Sequence, residues 1–182
     1  MPRAGLSEAV VVDLALSVVD ETGPDFTLAQ IAQRAGVATP SLYKHVDGLS
    51  CLRDLVAARV LDELSDAIEA ATGDGSGAEA TMALMQAYRR YAVGNPNRYA
   101  LVPPQPLGRP ELQAAANRLV GLVERAVGGS FEDALTVRRV RAVRSAAHGF
   151  ASLETAGGFG MPVDLDASFE LLSRAVVSGL GL

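Results

Sequence analysis

Thr39, Pro40, Ser41, Tyr43, Lys44 and His45 place two hydroxyls, a pyrrolidine ring, a phenol, an ammonium and an imidazole within seven residues. Hydroxyls take either phosphates or base edges. A Pro ring or a Thr methyl suits a thymine methyl, and Lys reaches phosphate or guanine. Leu42 and Val46, four residues apart, share a helical face and should anchor the segment to a core, leaving the six polar or ring-bearing residues to point elsewhere. The other residues with chemical potential are sparse: two histidines, His45 and His148, and one cysteine, Cys51. They form no metal-ligand cluster and no nucleophile motif, which points away from an enzyme.

Local punctuation tells how that segment is held. Thr27 is a good N-cap, and Gln30, three residues on, completes a capping box. Phe26 before the cap and Ile31 at the fourth helical position suit a hydrophobic staple. Gly36 tolerates the left-handed conformation that closes a helix. Thr39 then reads as a second cap, with Pro40 at the first helical position, where a missing N–H costs nothing. Ala32, Gly36 and Val37 are small enough for two helices to cross closely. From spacing alone the stretch is either an ordinary helical hairpin or a helix-turn-helix whose second helix enters a DNA major groove.

The run Thr27–Val46 follows the pattern T-L-x-x-I-A-x-x-A-G-V-x-x-P-S-L-Y-x-H-V almost without a gap. In this it resembles the TetR/AcrR family of bacterial transcriptional regulators. The resemblance implies that Thr27, Thr39, Pro40, Ser41, Tyr43, Lys44 and His45 face operator DNA. The pattern departs at Leu49, where family members often carry a lysine that contacts phosphate. That contact is not carried over.

Charge is unusual for such a role. The chain has 182 residues, a net charge of −5 and 49% hydrophobic residues, enough for a sizeable core. Residues 1–70 hold five basic residues (Arg3, Arg34, Lys44, Arg53, Arg59) against eleven acidic ones, whereas 71–182 is nearly balanced. Basic patches are the usual footprint of nucleic-acid binding. Within Thr27–Ser50 the balance is Arg34 and Lys44 against Asp47 alone, so a mildly positive contact surface is possible, with a shallow salt dependence. Apolar runs are broken well before about 18 residues, so no membrane span is expected. The first residues do not read as a signal peptide, and a lone cysteine fits a reducing cytoplasm. Cys51, among Leu and Val, reads as a small packed hydrophobe rather than a redox sensor.

The expected fold is all-α. Residues 1–5 read as a short arm carrying Arg3, either disordered or touching DNA backbone. Leu6–Glu21 is a helix capped by Ser7, with Val10, Val11, Leu14, Ala15, Val18 and Val19 at helical spacing. It completes a three-helix helix-turn-helix DNA-binding unit over 1–50. A connecting helix follows to about residue 71, some 23 residues or roughly 35 Å long. Thr72–Gly77, with three glycines, is a linker. A helical ligand-binding and dimerisation domain is expected over 78–182. Its helices are placed at Ala78–Val93, a short turn after Asn95-Pro96, Glu111–Val127, Phe131 to about Thr155, and Leu165 or Asp166 to about Gly179. Val102–Pro110, with four prolines, must be a loop or a broken helix.

The segment Val143–Leu182 resembles the C-terminal Trp-His-Gly ligand-binding domain of a branch of the same family. His148 and Gly149 are present, but the chain has no Trp. The resemblance implies a small-molecule pocket between the middle helices, with Met82, Met85, Tyr88, Tyr91, Tyr99, His148 and Phe150 as candidates. A Met or Tyr at helical spacing serves equally well as core, and His148 fits a hydrogen-bonded core histidine as well as a ligand contact. Met and Tyr walls would suit a flat, mostly apolar compound. Arg138, Arg139, Arg141 and Arg144 read as a solvated face, with attraction of an anionic ligand as the alternative. Phe150, Leu153, Phe169, Leu171, Leu172, Val176 and Val177 on the last two helices are expected to form a homodimer interface, which would set two reading heads on a palindromic operator. The function expected is a ligand-responsive repressor needing no cofactor. The alternative is a helical small-ligand carrier without DNA binding, which the acidic first half favours.

Overall fold

A computed structural model describes residues 5–103 and 108–182. Arg3 and residues 104–107, which fall in the stretch expected to be a loop or broken helix, lie outside this range. Among the described residues every regular element is helical. By packing, the chain forms two units: residues 1–61 with 97–116, and residues 62–96 with 117–182. The segment 97–116 therefore belongs with the N-terminal unit, although its sequence neighbours on both sides belong to the other.

In unit 1, helix α1 spans Glu8–Thr22. The hydroxyl of Ser7 caps it by accepting from the Val10 amide at 3.3 Å. Its buried stripe is Val11, Val12, Ala15, Leu16, Val18 and Val19. Val10 and Leu14 are only half-buried, and Val12 and Leu16 take their places, so the apolar face is turned from the one read in the sequence. Helix α2, Leu28–Ala35, begins with the complete capping box of Thr27 and Gln30. The Gln30 amide donates to the Thr27 hydroxyl at 3.3 Å, and the Thr27 amide donates to Gln30 Oε1 at 2.8 Å. Phe26 and Ile31 are both buried, at 1% and 0% exposure, as a staple requires. Gly36 sits at φ 67°, ψ 32°. There the Val37 amide reaches the Ala32 carbonyl, and the Gly36 amide reaches that of Gln33, the paired bonds of a Schellman ending.

The second helix of the motif is a 3-10 helix, Thr39–Lys44. Its N-cap is Ala38, not Thr39, and no side chain caps it. Thr39 and Pro40 occupy the first two helical positions instead. The bonds Ser41 N–H to Ala38 O and His45 N–H to Leu42 O, at 2.8 and 2.9 Å, span three residues each. The helix has only six residues, in the short stretch between Gly36 and Gly48, which leaves little length for α-helix to propagate. Helix α3, Gly48–Thr72, then runs for 25 residues and contributes to both units. Cys51 is buried in its first turns, at 9% exposure. The short helix α5, Pro96–Tyr99, puts Asn97–Tyr99 into unit 1.

Unit 2 contains helix α4, Ala78–Gly94; the later part of α6, Pro110–Val127; α7, Ala134–Thr155; and α8, Leu165–Gly179. Helix α4 packs on both α7 and α8. Helix α7 starts later than Phe131 because Asp133 caps it, its carboxylate accepting from the Leu135 and Thr136 amides. Arg118 on α6 holds Asp66 and Glu69 of α3, each at 2.7 Å. The core gathers Leu64, Ile68, Leu84, Met85, Val127, Val143 and Phe169, each at 1% exposure or less.

Candidate nucleic-acid interface and effector region

The short helix Thr39–Lys44 presents its polar side outward. Leu42 and Val46 are 0% and 3% exposed, whereas Tyr43 is 59% exposed. Pro40 and Lys44 are exposed, and Thr39, Ser41 and His45 are half-buried. Two apolar anchors thus fix a 3-10 turn whose phenol, ammonium and proline ring stand free to meet a partner. Thr27 is exposed, but its hydroxyl is already engaged with Gln30.

Charge around this surface is more committed than composition suggests. Arg34 donates to Ser17 at 2.7 Å and to both carboxylate oxygens of Glu21. The Arg34 bond holds the Glu21 carboxyl below its ordinary pKa, and the pairing raises that of Arg34. Arg34 is therefore not a free cation. Lys44 has no carboxylate within ion-pair distance among the described residues. Elsewhere in unit 1, Arg98 of α5 grips Asp20 at the end of α1 with two bonds of 2.7 Å, while Asn97 donates to the Asp20 carbonyl at 3.4 Å. The Arg98 hydrogen bonds lower the Asp20 pKa against the opposing effect of burial. A half-open cavity of about 400 Å³ lies against Val18, Thr22, Gln30, Gln33 and Arg34. Two of its polar walls, Gln30 and Arg34, are already hydrogen-bonded within the unit.

In unit 2 the effector candidates divide. Met85 and Tyr88 are buried at 0% and 6%, while Met82 and Tyr91 are half-buried. The Tyr91 phenol donates to Glu63 at 2.7 Å. Tyr88 and His148 are brought together, with phenol and Nδ1 3.4 Å apart. His148 is exposed as a residue. Even so, desolvation of its ring, then the neighbouring Arg144 charge, pushes its pKa down. Phe150 lies against Phe159 and Phe169, with centroids 4.6 and 4.9 Å away. Tyr99 is buried at 6% and belongs to unit 1, whereas the other six candidates belong to unit 2.

Unit 2 also contains a residue that sequence reasoning missed. Arg89 on α4 is 8% exposed and binds Glu154 of α7 with two bonds of 2.6 and 2.8 Å. A third bond, 2.7 Å, goes to Asp166 in the first turn of α8. The guanidinium lies over Phe150 and Phe169, 5.5 and 5.2 Å from their centroids. Its pKa is raised, mainly by Glu154. The signal was an arginine at a buried α4 position between two tyrosines, but nothing local distinguishes it from exposed Arg90. Of the cationic run on α7, Arg138, Arg141 and Arg144 are exposed. Arg139 donates to the Leu180 and Gly181 carbonyls, where a cation satisfies the acceptors at the end of α8. On the last two helices, Phe169 and Val177 serve the core of their own unit, at 0% and 6% exposure. Leu153 and Leu171 are the outward members, at 52% and 71%.

Comparison with known proteins completes the identification. Residues 81–176 match the family described as the Tetracyclin repressor-like, C-terminal domain. An uncharacterized HTH-type transcriptional regulator of Mycobacterium tuberculosis is 31% identical over 97% of this chain and 83% of its own length. The HTH-type regulator YobS of Bacillus subtilis is 29% identical over 98% of this chain and 95% of its own. A protein of unknown function from Rhodococcus sp. RHA1 superposes with a TM-score of 0.82 at 25% identity, covering 100% of both chains. ActR of Streptomyces coelicolor in complex with (S)-DNPA shares the fold, with a TM-score of 0.67 at 21% identity over 97% and 98% of the two chains. Among the described residues no helix is long and apolar enough to cross a membrane. With the helix-turn-helix at Thr27–Val46 and the matched C-terminal span, the chain belongs to the TetR family of transcriptional regulators.

Proposed function

We propose that this regulator is a homodimeric repressor that leaves its operator when a small, mostly apolar molecule binds unit 2. The observation that carries the DNA-reading half is the outward display of Pro40, Tyr43 and Lys44 over the buried pair Leu42 and Val46. Lys44 and Thr27 face phosphates in this reading. Thr39, Pro40, Ser41, Tyr43 and His45 face base edges and sugars. The exposed Leu153 and Leu171 support self-association through α7 and α8, since apolar side chains left over on a helix pair are commonly buried by a symmetric partner.

The effector half draws on Met82, Met85, Tyr88, Tyr91, His148 and Phe150, with Tyr99 as an outlying candidate. The Tyr88–His148 pair supplies polar anchors among apolar walls. ActR, of the same fold, is seen with a small molecule bound. The effector acts by binding one conformation better than another, and the operator selects the opposite one. The reading places the protein in the cytoplasm and assigns it no catalysis.

Selection of bound fragments from random DNA tests this reading. Enrichment of a palindrome with half-sites about one helical turn apart, or a multiple of it, is the expected result. Recovery of no preferred sequence would favour the helical small-ligand carrier, which the acidic first seventy residues support.

A further inference from the structure

Duplex DNA is held by cations that are free to neutralise phosphates. In unit 1 most cations are already held by carboxylates. Arg34 binds Glu21, Arg98 binds Asp20, and Arg59 donates to Asp13 at 3.1 Å. Arg109 stands 3.4 Å from Glu111.

Arg53 on α3 is different. Its nearest carboxylate oxygen, on Asp25, is 3.8 Å away, within ion-pair reach but beyond hydrogen-bond length. Both partners are open to solvent, with side-chain exposures of 46% for Arg53 and 98% for Asp25. What holds the guanidinium is an aromatic face. Its central carbon lies 5.7 Å from the centroid of Phe26, whose own side chain is buried. Phe26 directly precedes Thr27, the residue that opens α2 and the reading motif. A guanidinium fixed on a buried ring, beside the start of the motif and loosely opposed by one exposed carboxylate, is arranged to exchange that carboxylate for another anion. Its planar donor fork matches a phosphate as well as a carboxylate.

We propose that Arg53 is a phosphate-binding residue of the DNA-reading unit and that Asp25 is its built-in competitor. On docking, the Arg53 guanidinium leaves the Asp25 carboxylate for a backbone phosphate. Phe26 keeps it in place throughout. Asp25 thereby lowers affinity for every duplex alike and leaves sequence preference unchanged. The inference rests on the reading of unit 1 as a DNA binder.

The test uses the full chain and a duplex that it selects from random DNA, with affinity measured by anisotropy across a salt series. Asp25→Asn should tighten binding about two- to fivefold, the range of an exposed ion pair. Arg53→Gln should weaken binding and reduce the log–log salt slope by about 0.9 per reading unit, the value of one lost phosphate contact. Arg53→Lys should retain the slope. In the Arg53→Gln background the Asp25→Asn gain should vanish, because Asp25 acts through Arg53. Thermal unfolding of each variant separates loss of contact from loss of fold. If Arg53→Gln misfolds, the Asp25→Asn and Arg53→Lys results still decide. An unchanged slope in folded Arg53→Gln overturns the proposal and leaves the DNA reading intact. So does an Asp25→Asn gain of equal size with and without Arg53. Failure of the wild-type chain to bind any duplex overturns both.

Discussion

The reading motif of unit 1 and the interior of unit 2 are organised over different sequence distances. In the motif, the decisive polar contacts join near neighbours: Thr27 with Gln30, and Gly36 with Gln33. In unit 2 the central polar group, Arg89, is held by Glu154 and Asp166, 65 and 77 positions away. The first arrangement can form as soon as its own few residues do. The second exists only once three helices have met. Local punctuation therefore specifies the helix-turn-helix, while long-range pairing specifies the half proposed to bind the effector.

The sharpest way to break this contrast is at Arg89. Arg89→Met should destabilise the chain by about 3–5 kcal/mol, because Glu154 would be left nearly buried without its cation. Denaturant unfolding measures this, and a loss below about 1 kcal/mol would mean that Glu154 finds another partner. Leu42→Ala comes next. It removes a fully buried anchor of the short helix and should cost about 2–4 kcal/mol, with loss of DNA binding. Thr27→Ala deletes one half of a capping box and should cost about 1 kcal/mol in the same assay.

The smallest expected effect is that of pH on His148. Its folded pKa lies below the ordinary value, so the neutral imidazole is favoured by folding. Its contribution is complete above the unfolded pKa of about 6.5 and fades as pH falls through the folded value. The wild type should therefore lose slightly more thermal stability than His148→Gln between pH 7 and pH 5. Equal slopes for the two proteins would show that the ring titrates as it does in water.

The same contrast explains what the sequence disclosed. The capping box, the staple, the left-handed Gly36 and the two anchors of the short helix are read from residue types within a few positions, and each is present. The 3-10 character of Thr39–Lys44 was not legible. It depends on how little chain separates Gly36 from Gly48, where α3 begins, while Pro40 suits either helix. Arg34 counted as a free cation in the sequence, because Glu21 lies across a helix-helix contact that composition does not reveal. Arg98 was invisible for the same reason, its partner Asp20 being 78 positions away. Phe169 and Val177, grouped with the outward face, fill the core instead, since one-dimensional spacing on α8 does not say which side meets α4 and α7.

The central claim is that the short helix Thr39–Lys44 reads DNA through an exposed surface pinned by Leu42 and Val46. Tyr43→Ala tests it most directly, since Tyr43 is 59% exposed and its removal should leave the fold untouched. Binding of the selected duplex should be lost, with self-association and unfolding midpoint unchanged. Wild-type affinity in the folded variant would contradict the account.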